Sequence, residues 1–146
     1  MNPVADTGNI VDEPDWSLLL SDELEKRTAA EHWRKVTTEM RERETLAPSN
    51  AHSIQRLVLS YVIYDRCSRE VAENGAVTKP KRGNPKAIAR LSPHYQAMRE
   101  AGSDAERLEA ELGLSPRRRS SVTKVQKRDR KQSASANYLK PVSGGQ

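Results

Sequence analysis

The sequence has few of the residues that build a large core or a covalent framework. It has one cysteine and no phenylalanine, and aromatic residues make up 4% of its 146 residues. The single cysteine, Cys67, excludes an internal disulfide bond and fits a reducing compartment. Because hydrophobic residues make up only 35% of the chain, we expect a thin core that oligomerisation would stabilise.

Several kinds of functional site are also missing. No run approaches the ~18 apolar residues of a membrane span, and the acidic N-terminus lacks the order of a signal peptide. We therefore expect a cytosolic protein without a membrane partner. There is no glycine-rich phosphate-binding loop, and His32, His52 and His94 have no partner at metal-ligand spacing. We expect no enzymatic activity, no cofactor and no metal.

The net charge of +5 is distributed unevenly along the chain. Residues 1–25 contain seven acids and no base, whereas residues 79–90 contain five bases and no acid. This first basic cluster consists of Lys79, Lys81, Arg82, Lys86 and Arg90. A second basic cluster consists of Arg117, Arg118, Arg119, Lys124, Lys127, Arg128, Arg130 and Lys131. Such local clusters favour a phosphate-rich partner, although a solubilising tail would have the same composition.

Two long helices are predicted in the first half of the chain. Asp22 and Glu25 have capping-box spacing, so helix 1 is predicted to begin near Asp22 and to end near Glu44. Its buried stripe is predicted to be Leu24, Ala29, Trp33, Val36 and Met40. A break at residues 46–50 precedes helix 2, which is predicted to end at Asn74-Gly75. The short link predicts an antiparallel helical hairpin.

Helix 1 also carries an arginine every seven residues, namely Arg27, Arg34 and Arg41, which we call the arginine row. Such a row could contact DNA. Acids four residues away from bases instead favour a solvated helix surface with internal ion pairs. The expected pairs are Glu23–Arg27, Glu31–Lys35 and Glu39–Arg43. At this level the ion-paired surface is the stronger interpretation.

A third helix is predicted after the first basic cluster. Asn84-Pro85 forms a helix start, and the helix should run to Gly113, with Pro93 kinking or splitting it. Ser115-Pro116 starts a short fourth helix. Apolar residues at helical spacing form a predicted seam, either in the core of the chain or between subunits. Its members are Ile88, Leu91, Tyr95, Met98, Ala105, Leu108 and Leu112, together with Trp33 of helix 1. Residues 75–84 are too short and polar for a predicted strand pair.

These elements predict an all-α fold in three parts. Residues 1–20 form a mobile acidic arm in which Trp16 and the three following leucines pack on a neighbouring helix or subunit. Residues 21–119 form the helical domain, and residues 120–146 form a flexible basic tail.

Three features in this order resemble the small subunit of tailed-phage terminases, in particular the P27-like family. They are Trp33 in the first helix, the Asn84-Pro85 helix start, and the segment from Leu112 to Pro116 followed by arginine. The resemblance covers roughly residues 24–119. Pro93 departs from the family pattern, because it interrupts the long helix.

The resemblance implies a DNA-binding and oligomerising domain without catalytic activity. Its implied partners are double-stranded viral DNA at the packaging start site, the large terminase subunit that carries the ATPase and nuclease, and further copies of the chain in a ring. Two other functions fit the composition. One is a helical DNA-binding transcription regulator, and the other is a protein-interaction adaptor whose basic tail binds an acidic partner.

Overall fold

Three helices make up most of the part of the chain that the structure describes. The structure is a computed structural model, and it describes residues 11–78 and 88–115. The helices are α1 (Glu23–Glu42), α2 (Ala51–Asn74) and α3 (Pro93–Glu111). Short 3-10 turns, Trp16–Leu18 and Pro48–Asn50, precede α1 and α2. The predicted helical class is confirmed for these residues, while the predicted fourth helix begins outside them.

The start of α1 follows from its capping residue. Asp22 has extended backbone angles, and its carboxylate accepts a hydrogen bond from the Glu25 backbone N–H at 2.9 Å. Only this half of the predicted capping box forms, because the Glu25 side chain turns toward α2. The predicted stripe on α1 is buried except for Leu24, which is 63% exposed and was wrongly assigned to the core.

Helix α2 lies between the other two helices and contacts both. The beginning of α1 reaches the end of α2, where Glu25 contacts Arg66. The end of α3 lies near the middle of α2, where Tyr61 contacts Glu109. The core is formed chiefly by Trp33, Met40, Ile54, Leu57, Val58, Val62, Leu108 and Leu112.

The segment before α1 contributes two side chains to this core. Trp16 and Leu20 are buried, and the Trp16 ring meets the Trp33 ring edge-on with their centroids 6.1 Å apart. The indole N–H of Trp16 donates to the Glu13 carboxylate at 2.8 Å. The expected packing of this apolar cluster on a neighbouring helix is thus made within the chain by Trp16 and Leu20, whereas Leu18 is 83% exposed.

Helix α3 begins later than predicted. Ser92 is its N-cap, with its hydroxyl accepting from the His94 N–H at 3.2 Å, and Pro93 occupies the first turn. A proline at this position loses no helical hydrogen bond, so it starts the helix rather than kinking it. A continuous helix from Asn84 is therefore wrong for residues 88–92. Asn84 and Pro85 themselves lie outside the described residues.

The chain between α2 and α3 contains a small antiparallel sheet that was not predicted. Strands β1 (Val77–Thr78) and β2 (Arg90–Leu91) pair with Val77 opposite Leu91 and Thr78 opposite Arg90. The Ser92 N–H continues the contact by donating to the Ala76 carbonyl at 2.9 Å. This pairing holds residues 90–92 in an extended conformation and sets the point where α3 begins.

Helix α3 ends as its sequence predicts. Gly113 has a φ of 72°, and the Leu114 N–H bonds back to the Glu109 carbonyl at 2.8 Å. This is the Schellman arrangement, in which glycine tolerates the positive φ. Leu114 folds back and packs against the core. The side chain of Arg43 donates to the Gly113 carbonyl at 3.2 Å, which ties this end of α3 to the end of α1.

Candidate nucleic-acid interface

The two predicted basic clusters fall almost entirely outside the described residues. Arg90 is the exception, and it lies exposed in β2 with its carbonyl accepting from the Thr78 hydroxyl at 3.0 Å. The other twelve predicted DNA-binding residues lie outside the description: Lys79, Lys81, Arg82, Lys86, Arg117, Arg118, Arg119, Lys124, Lys127, Arg128, Arg130 and Lys131. The structure thus shows one member of the first cluster at the edge of the small sheet.

The predicted seam divides into a buried and an exposed part. Trp33, Leu108 and Leu112 are buried in the core, and Tyr95 and Met98 are half-buried. Ile88 is 81% exposed and Leu91 is 41% exposed, so neither belongs to the core of this chain. Residues 88–91 precede the helix, so helical spacing does not apply to them, and the alternative that Ile88 and Leu91 form a seam between subunits stays a prediction.

The arginine row lies on a described helix. Arg27, Arg34 and Arg41 are all exposed on α1. Of the three ion pairs expected on this helix, only Glu39–Arg43 forms, because Glu23 instead pairs with Lys26 at 2.6 Å. Among the described residues, no acid lies within ion-pair distance of the arginine row. The seven-residue spacing of these arginines was the sequence signal for a DNA-contacting surface. The three ion pairs expected on the same helix favoured a solvated surface instead.

A buried carboxylate at the start of α1 contacts two other arginines, which lie on α2. Glu25 is buried and accepts from Arg66 at 2.7 and 2.6 Å, while Arg69 lies 3.8 Å away. The hydrogen bonds from Arg66 lower the pKa of Glu25, although burial opposes that shift. The charge of Arg66 is thus partly neutralised, which makes it a weaker phosphate ligand than the arginine row.

A shallow groove of about 320 Å³ lies between α1 and α3. On its floor the Tyr61 hydroxyl donates to the Glu109 carboxylate at 2.6 Å, and the His32 ring lies 4.9 Å from the Tyr61 ring. Burial, and then the hydrogen bond to Glu109, raise the pKa of Tyr61 well above its ordinary value. Tyr61 therefore stays protonated and serves to join α2 to α3.

Two further classes of site have no candidate within residues 11–78 and 88–115. These residues contain no group of three His, Cys, Asp or Glu side chains placed to bind a metal ion. None of the helices in this part of the chain has the length and apolar character needed to span a bilayer.

Comparison with known proteins places the chain beside one family. A family model described as "Phage terminase, small subunit" matches residues 29–129. The matched region includes most of α1, all of α2 and α3, all of the first basic cluster and six of the eight residues of the second. Searches of curated proteins and of solved structures gave no match.

Proposed function

The chain belongs to the phage terminase small-subunit family, and from this premise we propose that it binds viral double-stranded DNA at the packaging initiation site and recruits the large terminase subunit. The observation that carries the proposal is the family match, which spans more than half of the chain. On the same basis the protein has a role in phage genome packaging. The more specific P27-like type rests on Trp33, Asn84-Pro85 and the helix end at Gly113.

We propose that the two basic clusters supply phosphate contacts. The first cluster adjoins the sheet through Arg90, and the second follows the last described residues. Lysines and arginines that neutralise phosphates give affinity that falls steeply with salt and depends little on sequence. Choice of the packaging site would then require bending of the DNA or a few base contacts.

We propose that the chain assembles into a closed homo-oligomeric ring. Exposed large apolar side chains support this, and among the described residues they occur in three places: before or near the start of α1, on the second half of α2, and in or next to the small sheet. They are Leu18, Leu19, Leu24, Ile63, Tyr64, Val77, Ile88 and Leu91. A thin core favours burial of such side chains against a second copy. Repetition of weak phosphate contacts around a ring would then raise affinity through multivalency.

In this proposal the small subunit performs no chemistry itself. The ATPase and nuclease reactions belong to the large subunit, which the small subunit recruits and regulates in the cytoplasm of the host cell. No cofactor or metal is assigned to the chain.

A salt titration of duplex DNA binding tests the proposed function on the full chain. One variant replaces all five bases of the first cluster with Gln, and another replaces all eight bases of the second. For the wild type, we expect the logarithm of the binding constant to fall linearly with the logarithm of the salt concentration. In each variant, the magnitude of this slope should be smaller by ~0.9 for every phosphate contact removed. Wild-type protein that does not bind duplex DNA even at low salt would refute the proposal.

Native mass measurement separates this proposal from the alternatives. A single closed species of many subunits is the result expected of a ring. A dimer that binds DNA would favour the transcription regulator, and a species that binds only an acidic protein would favour the adaptor. The large subunit of the same phage should be captured by the wild-type ring.

A further inference from the structure

The arginine row lies on a helix face that the other described residues, 11–78 and 88–115, leave uncovered. Arg27, Arg34 and Arg41 are exposed, and they lie away from the buried stripe of α1. Seven residues correspond to about two helical turns, so the three positions recur about every 10.5 Å and span about 21 Å. Because they are carried by a 20-residue helix with a capped start, their spacing is rigid.

The nearby acids do not neutralise the row. Glu23 is paired with Lys26, Glu39 with Arg43, and Glu25 with Arg66. Glu31 is exposed between the first two arginines, so the potential there is weaker. Glu42 is likewise exposed beside Arg41, and neither Glu31 nor Glu42 lies within ion-pair distance of an arginine of the row.

The choice of arginine at all three positions fits a phosphate ligand. A guanidinium group is always charged and weakly hydrated, and it can donate two parallel hydrogen bonds to one phosphate. A 21 Å length of duplex carries about 12 phosphate charges, since B-DNA has one per ~1.7 Å of its axis. The duplex thus offers about four phosphates for each arginine over the length of the row.

We propose that the arginine row is a third DNA contact, which binds the sugar–phosphate backbone of double-stranded DNA. This inference rests on the proposed function, and it adds a surface on α1 to the two basic clusters. The row positions the helical domain on the duplex, and it reads no sequence because phosphates are the same at every base pair.

The test is a salt titration of the full chain with the three arginines of the row changed to Gln. The matched control changes Arg56, Arg99 and Arg107 to Gln, because these are exposed arginines on α2 and α3 and the loss of charge is equal. We expect the row variant to lose up to ~2.7 from the magnitude of the salt slope, which is ~0.9 for each of three contacts. The control should keep the wild-type slope.

A second variant changes the same three arginines to Lys. It retains the charge, so the slope should stay near wild type while the affinity falls, because lysine does not form the bidentate contact. Unfolding midpoints of all variants, measured by circular dichroism, confirm that the helices are intact, since Gln and Lys are good helix formers.

The results distinguish this inference from the proposed function. If wild-type protein binds duplex DNA and the row variant has the same slope as wild type, the arginine row is not a DNA contact. If the row variant changes the native mass and leaves the slope unaltered, the row contacts another copy of the chain, which also overturns the inference. Absence of wild-type binding refutes the proposed function itself.

Discussion

The carboxylate of Glu25 at the start of α1 accepts two hydrogen bonds from the guanidinium group of Arg66 near the end of α2, at 2.7 and 2.6 Å. The two residues are 41 positions apart, so this contact joins α1 to α2 at the end of the helix pair that lies away from the connecting loop. Glu25 is buried and Arg66 is half-exposed. A buried carboxylate needs such a partner, because a charge without one is costly away from water.

Replacing Glu25 with Gln should therefore destabilise the fold by about 2 kcal/mol at neutral pH, the size expected for hydrogen bonds to a charged group. The pKa of Glu25 lies below its ordinary value of 4.5, so the ionised form is favoured by folding. The Glu25 carboxylate contributes fully to the free energy of unfolding at pH values above its pKa in the unfolded chain. This contribution is lost as the pH falls through its lower pKa in the folded protein. Urea unfolding at fixed protein concentration should show that the difference in unfolding free energy between wild type and the Glu25→Gln variant becomes smaller in acid.

Glu23→Gln is the matched control for this change. Glu23 lies in the same helical turn and pairs with Lys26, but the Glu23 carboxylate is exposed, and such surface pairs contribute ~0–1 kcal/mol. Equal effects of the two substitutions at neutral pH, or a difference that does not depend on pH, would contradict the role assigned to the Glu25–Arg66 pair.

Replacing Pro93 with Ala should change stability by less than about 0.5 kcal/mol, as for an ordinary surface position. The reason is that Pro93 lies in the first turn of α3, where its missing N–H has no helical acceptor. A proline inside a continuous helix from Asn84 would instead cost about 3 kcal/mol, and its removal would stabilise the protein by that amount. Thermal unfolding of the variant decides between the two positions of the helix start.

Replacing Ser92 with Ala should cost about 1 kcal/mol, because it removes the hydroxyl that caps α3. Ser103→Ala makes the same chemical change at an exposed position within α3, where alanine is the better helix former, and should be neutral or slightly stabilising. If Ser92→Ala is as harmless as the control in thermal unfolding, Ser92 is not the cap.

The residues that can cap a helix could be recognised from the sequence, but the sequence did not show which of two possible caps starts α3. Asp22 and Gly113 were identified as the ends of helices because each acts on neighbouring backbone groups. Asn84-Pro85 and Ser92-Pro93 offer the same chemistry for the start of α3. The structure uses the second, because pairing of β1 with β2 keeps residues 90–91 extended. Such pairing between distant segments leaves no periodic signal in short polar strands.

The candidate site shows the same limit. The seven-residue spacing of the three arginines was visible in the sequence, but their exposure without ion pairs depended on the partners that the nearby acids found in the fold. Glu25 left its expected place in the capping box for Arg66, and Arg43 was fixed by both Glu39 and the Gly113 carbonyl. Spacing along one helix cannot reveal these choices, since they involve residues of α2 and of the chain after α3.

Replacing Gly102 with Ala should stabilise α3 by less than the ~1 kcal/mol that alanine gains over glycine in a helix. A Cβ atom at this position would lie 3.3 Å from Cε2 and 3.4 Å from Cδ2 of Tyr64, which is a tight contact. The Tyr64 ring is 41% exposed and can yield toward solvent. Thermal unfolding should therefore show a small gain for this variant.

The contact can be isolated with a double-mutant cycle. With Tyr64→Ala already present, Gly102→Ala should give the full ~1 kcal/mol, so the two changes should be coupled by about 0.5 kcal/mol or more. If the effects of the two substitutions on stability are strictly additive, the Tyr64 ring does not reduce the gain from alanine at position 102.

Changing Leu18 and Ile88 to Ser should weaken self-assembly and leave the fold of each chain nearly unchanged. These are the most exposed large hydrophobic residues that the structure describes, so a single chain gains little from burying them. Leu108 is 1% exposed, and Leu108→Ala should instead cost about 2–5 kcal/mol by leaving a cavity in the core. Native mass and helical circular dichroism, measured on both variants, should separate the two effects. The serine variant should form smaller species with full helicity, because the apolar area lost belongs to contacts between copies. A serine variant with wild-type mass would show that these side chains are not part of an assembly surface, and the thin core would then need another explanation for its stability.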